Sequence, residues 1–201
     1  MGEPPLRGKK NAGWKEKRNC KKNAGTPYLY WSGFAMRILI DTCIFIHYST
    51  DMGLLSKDVI SLLEDTENII CISAETLREL VVSYNNGGLV SKYWPSARKM
   101  LDSIQEEYYI TILPLKEEHM KTYSELELNT VQDHKDPSDH VIIAHAITEH
   151  MPLISDDHKF EFYQKQGLEL IINKRWTLPR TNIDTAKTKQ QKNDQKFGSF
   201  G

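Results

Sequence analysis

Asp41, Glu79, Asp139 and Asp157 each stand beside an apolar run or at the start of a helical pattern, and Asp136 and Asp156 accompany the last two. Carboxylates packed into one pocket repel, and without help some of them take up protons. A divalent cation removes that conflict, and an all-carboxylate shell selects Mg2+ or Mn2+ over zinc. Two such ions about 3.5–4 Å apart generate a hydroxide and stabilise both oxygens of an in-line phosphodiester displacement. The pattern therefore points to metal-dependent phosphoryl chemistry.

Each carboxylate has a plainer reading. Asp41 can cap a helix starting at Thr42, Asp136 can cap the helix at Pro137, and Asp139 can compensate a helix dipole. Asp157 can open the helix carrying Phe160 and Tyr163, and Glu79 can sit on a solvated helix face. Their joint occurrence, each at an element end or helix start, favours function. Other chemistries fit less well. His140 and His145 are five positions apart, about 140° around a helix, and share no metal-binding face. Cys43 follows a strand without an evident histidine partner and reads as a structural thiol. No G-x-x-x-x-G-K-[ST] or G-x-G-x-x-G loop occurs. An aspartate-based phosphatase would want a second Asp two residues after Asp41, and Cys43 occupies that place.

The elements that must bring these groups together follow from periodicity. Arg37 to Ile40, Ile69 to Ile72, Ile110 to Leu113, Pro152 to Ser155 and Leu170 to Ile172 read as short buried strands. Between them, Leu77, Leu80, Val81 and Tyr84 repeat with helical spacing after a Ser73 cap and stop at Asn85-Asn86-Gly87-Gly88. Ala97, Met100, Leu101, Ile104 and Tyr108 predict a further amphipathic helix, and Glu117 to Leu128 another. Asp136-Pro137-Ser138-Asp139 opens a helix with cap, N1 proline and N3 acid in order, and the apolar 141–147 run makes it the central buried one. Alternation of this kind implies a mostly parallel sheet covered on both faces, a three-layer α/β/α sandwich. In such sheets the site lies outside the carboxyl ends of the strands, where Asp41, Asp156 and Asp157 fall.

These segments resemble PIN-domain ribonucleases, particularly the VapC-like toxins of bacterial toxin–antitoxin modules. Ile38-Leu39-Ile40-Asp41-Thr42-Cys43 is similar to the opening strand with its first acidic residue, and the 72–80 segment ending Arg78-Glu79-Leu80 to the second. Asp136-Pro137-Ser138-Asp139 resembles the D-P-x-D segment, and Leu153-Ile154-Ser155-Asp156-Asp157 the final strand and turn, with Ser155 as its small hydroxyl residue. The resemblance spans about residues 36–175. It implies catalytic, metal-binding roles for Asp41, Glu79, Asp139 and Asp157, with Asp156 competing for the fourth position and Thr42, Ser155 and Asp136 in support. It also implies Mg2+-dependent cleavage of RNA by metal-activated water, a homodimer, and inhibition by a cognate antitoxin protein. Trp94, Tyr93 and Val90, near the Gly87-Gly88 break, offer either a groove for an antitoxin segment or core and dimer contacts. The chain departs from the pattern with Cys43 two residues after the first Asp, His140 in place of an Arg, and an added Glu75. A degenerate, non-catalytic module of the same fold is the alternative, and the intact acidic set argues against it.

Charge is segregated along the 201 residues. The formal net charge of −1 combines a 1–35 segment with eight basic and two acidic residues, a 179–201 segment with five and two, and an acidic 36–178 globule with 13 basic and 23 acidic. The two ends have too little apolar surface to offset their ordering entropy and are expected to be flexible extensions of the 36–178 domain. The basic 1–35 arm can bind RNA or be a solvated extension, and Met36, just before the first strand, is a candidate natural start. The globule's negative charge opposes general phosphate binding. It predicts a shape-selected RNA target, with Arg78, Lys92, Arg98 and Lys99 as a basic rim. No apolar run is long enough to span a membrane and the Met1 end is polar, so neither anchor nor secretory signal is expected. Cys20, Cys43 and Cys71 without a C-x-x-C fit a reducing cytoplasm.

Overall fold

The computed structural model describes residues 36–89, 94–130 and 132–174. Five strands form one parallel sheet: β1 Arg37–Ile40, β2 Ile69–Ser73, β3 Thr111–Leu113, β4 Leu153–Ser155 and β5 Leu170–Ile172, in spatial order β3-β2-β1-β4-β5. The helices are α1 Thr42–Thr50, α2 Lys57–Glu64, α3 Ala74–Asn85, α4 Ala97–Glu106, α5 Glu117–Glu125 and α6 Pro137–Thr148, with 3-10 segments at Met52–Leu54 and His158–Gln166. The expected α/β/α sandwich is the observed architecture.

Side chains alternate across a strand, so each strand feeds two cores. Ile38, Ile40, Ile70, Ile72 and Ile154 pack with Ile44, Phe45, Leu63, Leu80, Met100 and Ile104 of α1–α4. Leu39, Cys71, Leu153, Leu170 and Ile172 pack on the other face with Ile142, Ile143 and Ala146 of α6 and with Phe160 and Tyr163 of the second 3-10 segment. Each aliphatic side chain buried this way contributes about 1.5–3 kcal/mol. Helix α6 is buried along most of its length, from Ser138 to Ala146.

Helix α5 ends at Glu125, three residues before the expected Leu128, because the chain turns extended at Leu126 and packs that side chain into the α6 core. The Gln166 amide then satisfies both backbone groups of Glu127, accepting its N–H and donating to its carbonyl at 2.9 Å each. Helix bonds are thereby replaced, and a loop leads on to the acidic start of α6. Trp94 is buried and stacks on Phe45, with ring centroids 6.1 Å apart. It is a core residue and lines no groove, because an indole of that size is fully used by the α1–α4 core. Val90, Lys92, Tyr93 and both charged extensions lie outside the described residues.

The chain places β2 and β3 on one side of β1 and β4 and β5 on the other. The reversal between β1 and β4 opens a crevice at their carboxyl ends, the usual binding position in such sheets. Among the described residues, no helix is long and apolar enough to cross a membrane.

Candidate metal centre

Asp41 leaves β1 into that crevice and caps α1, its Oδ1 accepting the Thr42 N–H at 2.6 Å. Its Oδ2 accepts from the Ser155 hydroxyl at 2.7 Å and from the Cys43 thiol at 3.3 Å. Asp41 is only 6% exposed. Burial raises its pKa against these three hydrogen bonds, and the Asp157 charge adds to the rise. Burial, followed by the Asp41 charge, also pushes the Cys43 thiol far up, so Cys43 is a protonated donor to Asp41 and no nucleophile.

Glu79 sits on α3 where that helix meets α1, and its Oε2 accepts the Thr42 hydroxyl. Thr42 thus serves both acids, through its backbone to Asp41 and its side chain to Glu79. Burial, then the charges of Asp41 and Asp139, push Glu79 up to about 7. Asp139, in the first turn of α6, is pushed up to about 7 by burial and then by Asp41, Asp136 and Asp157. Ligand oxygens of Glu79, Asp136 and Asp139 lie within 4.8 Å of one another. Ligand atoms of His134, Asp139 and Asp157 do the same, so Asp139 belongs to both groups. Asp136 is also the α6 cap, accepting the Ser138 N–H at 2.9 Å.

Asp157 caps the second 3-10 segment by accepting the Lys159 N–H at 2.8 Å, while its own N–H donates to Ser155 Oγ at 3.1 Å. Asp156 is engaged elsewhere. Its Oδ2 meets His47 Nε2 at 2.8 Å and its Oδ1 accepts from Asn173 Nδ2 at 2.6 Å. Asn173 in turn donates to the Leu54 carbonyl at 3.0 Å and accepts the Ser56 N–H at 2.7 Å. Asp156 therefore anchors the end of β5 to the α1–α2 connection.

Glu75 is bound by Arg78, whose Nη2 and Nε donate to its Oε1 at 2.6 and 2.9 Å and hold its pKa low. Arg78 also donates to Ser138 Oγ at 2.5 Å, which sets a guanidinium across the edge of the acidic pocket. Lys159 lies close enough to Asp139 to lower its proton affinity. Arg98 and Lys99, expected in the rim, both face Asp102 along α4, which neutralises them locally. Among the described residues, Arg78 and Lys159 are the cations beside the carboxylates. His140 is buried against His134 and Tyr163 and offers no surface contact.

From the sequence His134 is expected only as a core or surface histidine, with no role at the site. It is 3% exposed, and its Nε2 meets Asp139 Oδ2 at 2.9 Å while its Nδ1 meets the Tyr163 hydroxyl at 3.0 Å. It comes from the loop before α6, where no periodicity marks a buried position. Its place two residues ahead of Asp136 is the one available signal.

Asp41, Glu79 and Asp139, three carboxylates with raised proton affinities, converge with Asp157 into a hard oxygen donor set whose repulsion a cation would relieve. The residues fit Mg2+ or Mn2+, with Asp41, Glu79, Asp139 and Asp157 as candidate ligands.

Comparison with curated proteins gives no match. Among solved structures, VapBC2 from Rickettsia felis bound to a promoter DNA fragment is similar at 23% identity and TM-score 0.49, covering 68% of this chain and 98% of that chain. VapBC-1 from nontypeable Haemophilus influenzae gives 20%, 0.49, 68% and 98%, and FitAcB from Neisseria gonorrhoeae gives 20%, 0.47, 70% and 99% for the same quantities. The family profile described as PIN domain matches residues 38–166, most of the globule and all four candidate acids. With that match spanning more than half of its length, the chain belongs to the PIN domain family.

Proposed function

We propose that this protein is a metal-dependent endoribonuclease, acting in the cytoplasm as a homodimeric toxin restrained by a cognate antitoxin protein. One observation carries the nuclease reading: ligand oxygens of Glu79, Asp136 and Asp139 lie within 4.8 Å of one another in a pocket at the β1/β4 crevice, where burial and mutual repulsion raise the proton affinities of Glu79 and Asp139. Such a pocket is poised for a cation. Asp41, Glu79, Asp139 and Asp157 would hold Mg2+ or Mn2+, with Asp136 at the pocket edge. Bound there, the ion supplies an activated water and neutralises charge on the phosphodiester.

The chain's own groups do the rest. Ser155 and Thr42 keep Asp41 and Glu79 oriented, and Arg78 and Lys159 meet the substrate's phosphates at the rim. The acidic globule limits general RNA affinity, which favours a structured RNA loop selected by shape. The toxin assignment rests on the resemblance to VapC-like proteins in the four acidic segments.

The test is cleavage of structured and unstructured RNA with Mg2+ or Mn2+, against excess chelator and against Asp41→Asn. Controlled expression in a bacterial host, with and without a co-expressed antitoxin, follows. Cleavage that survives both chelator and Asp41→Asn would remove the metal mechanism. Unimpaired growth with a nuclease-active protein would remove the toxin assignment alone.

A further inference from the structure

Asn129, Tyr163, His134 and Asp139 form a hydrogen-bond chain that runs from the backbone to a candidate ligand. The Asn129 N–H, which can only donate, points to the Tyr163 hydroxyl oxygen at 3.3 Å. That hydroxyl meets His134 Nδ1 at 3.0 Å, and His134 Nε2 meets Asp139 Oδ2 at 2.9 Å. When Asp139 ligates a cation its carboxylate is ionised and offers no hydrogen, so the Nε2 end must then carry it. A neutral imidazole then accepts the Tyr163 hydroxyl at Nδ1, and a charged one donates to the same oxygen. Nε2–H faces Asp139 in either state. Tyr163 and His134 are 0% and 3% exposed, so water does not compete at these positions.

Proximity alone would allow another role, since ligand atoms of His134, Asp139 and Asp157 lie within 4.8 Å of one another. A hydrogen on Nε2 leaves that atom no lone pair for a cation. We propose that His134 is a positioning residue for Asp139: its Nε2–H holds Oδ2, Oδ1 is left for the cation, and His134 supplies no ligand. The shell stays all-oxygen because the nearest imidazole is turned into a donor by Tyr163. Outer-shell partners of this kind typically set metal affinity by 10–100-fold. The inference rests on the reading of Asp139 as a ligand.

Two polar substitutions of different reach test it. The Gln amide nitrogen extends about as far as Nε2, and the Asn nitrogen only as far as Nδ1. In Mn2+ titrations of the full chain followed by electron paramagnetic resonance, His134→Gln should bind within about threefold of the unsubstituted protein. His134→Asn should bind roughly 10–100-fold more weakly, with both variants showing cooperative melting. Pulsed spectra of the Mn2+-loaded protein should show no directly bound nitrogen. Equal loss in both variants, loss in neither, or a directly bound nitrogen that disappears in His134→Gln would overturn the positioning role. Asp139→Asn is the separate control, expected to weaken Mn2+ binding by about 100-fold or more. Unchanged binding there would remove the ligand reading itself, and the inference with it.

Discussion

The Ser155 hydroxyl donates to Asp41 Oδ2 at 2.7 Å and accepts the Asp157 N–H at 3.1 Å, so one buried side chain joins the carboxyl ends of β1 and β4. Neighbouring strands carry two acids that repel each other, and this hydroxyl sets their spacing. Ser155→Ala removes the donor to Asp41 and leaves the Asp157 N–H without its acceptor. Lost partners of buried groups cost about 1–3 kcal/mol each. The denaturation midpoint should fall accordingly, and the Asp41 carboxyl should hold its proton to higher pH, because this hydrogen bond lowers its pKa. A midpoint equal to that of the unsubstituted protein would show that the bridge contributes nothing.

Asp41→Asn should abolish RNA cleavage while leaving the metal-free protein as stable as before, or more so. Asn caps helices as well as Asp does, and the substitution removes a buried charge from a repelling set. Thermal melting in chelator is the check. A melting temperature lowered by more than about 5 °C would mean that the Asp41 charge is structurally needed.

Asp156 and Asp157 should separate cleanly. Asp156→Asn disturbs the contacts to His47 and Asn173 that close the β5 edge, so it should lower stability by about 1–3 kcal/mol with metal affinity nearly intact. Asp157→Asn keeps a capping side chain and should leave melting nearly unchanged while weakening Mn2+ binding and cleavage. Calorimetric metal titration beside melting reads both, and the reverse assignment would follow if Asp156→Asn alone lost the metal.

The acidic pocket should also show in the pH dependence of the chelated protein. Glu79 and Asp139 rise from ordinary values of 4.5 and 3.8 to about 7 on folding. The folded state therefore binds more protons than the unfolded state between about pH 4 and 7, and stability falls as pH rises through that window. His145, lowered to about 4 by burial and then by His119, acts with the opposite sign and blurs the raw curve. The difference between Glu79→Gln and the unsubstituted protein cancels it. That difference in melting temperature should shift in favour of the variant by roughly 3–5 °C between pH 4.5 and 8. A flat difference would mean that Glu79 titrates normally.

Much of this protein is written locally. The strands are short aliphatic runs, and Asp41, Ser73, Asp136 and Asp157 cap the segments that follow them. Those signals act over a few residues, so the sequence alone determined the layered fold and the positions of Asp41, Asp139 and Asp157 at element ends. Contacts across long separations were decided only by the tertiary structure. Asp156 and Asp157 are equivalent in any local reading, and the difference between them comes from His47, 109 residues away, and Asn173, 17 residues away. Trp94, beside a glycine break, reads equally as a groove aromatic or a core residue until Phe45, on the first helix, stacks on it. His134 lies in a loop without periodicity, and its burial depends on Tyr163, 29 residues later, closing over it. Caps and periods record what a residue does for its own element. Which groups meet across the β1/β4 crevice depends on how separate elements pack, and that information is carried by the assembled core.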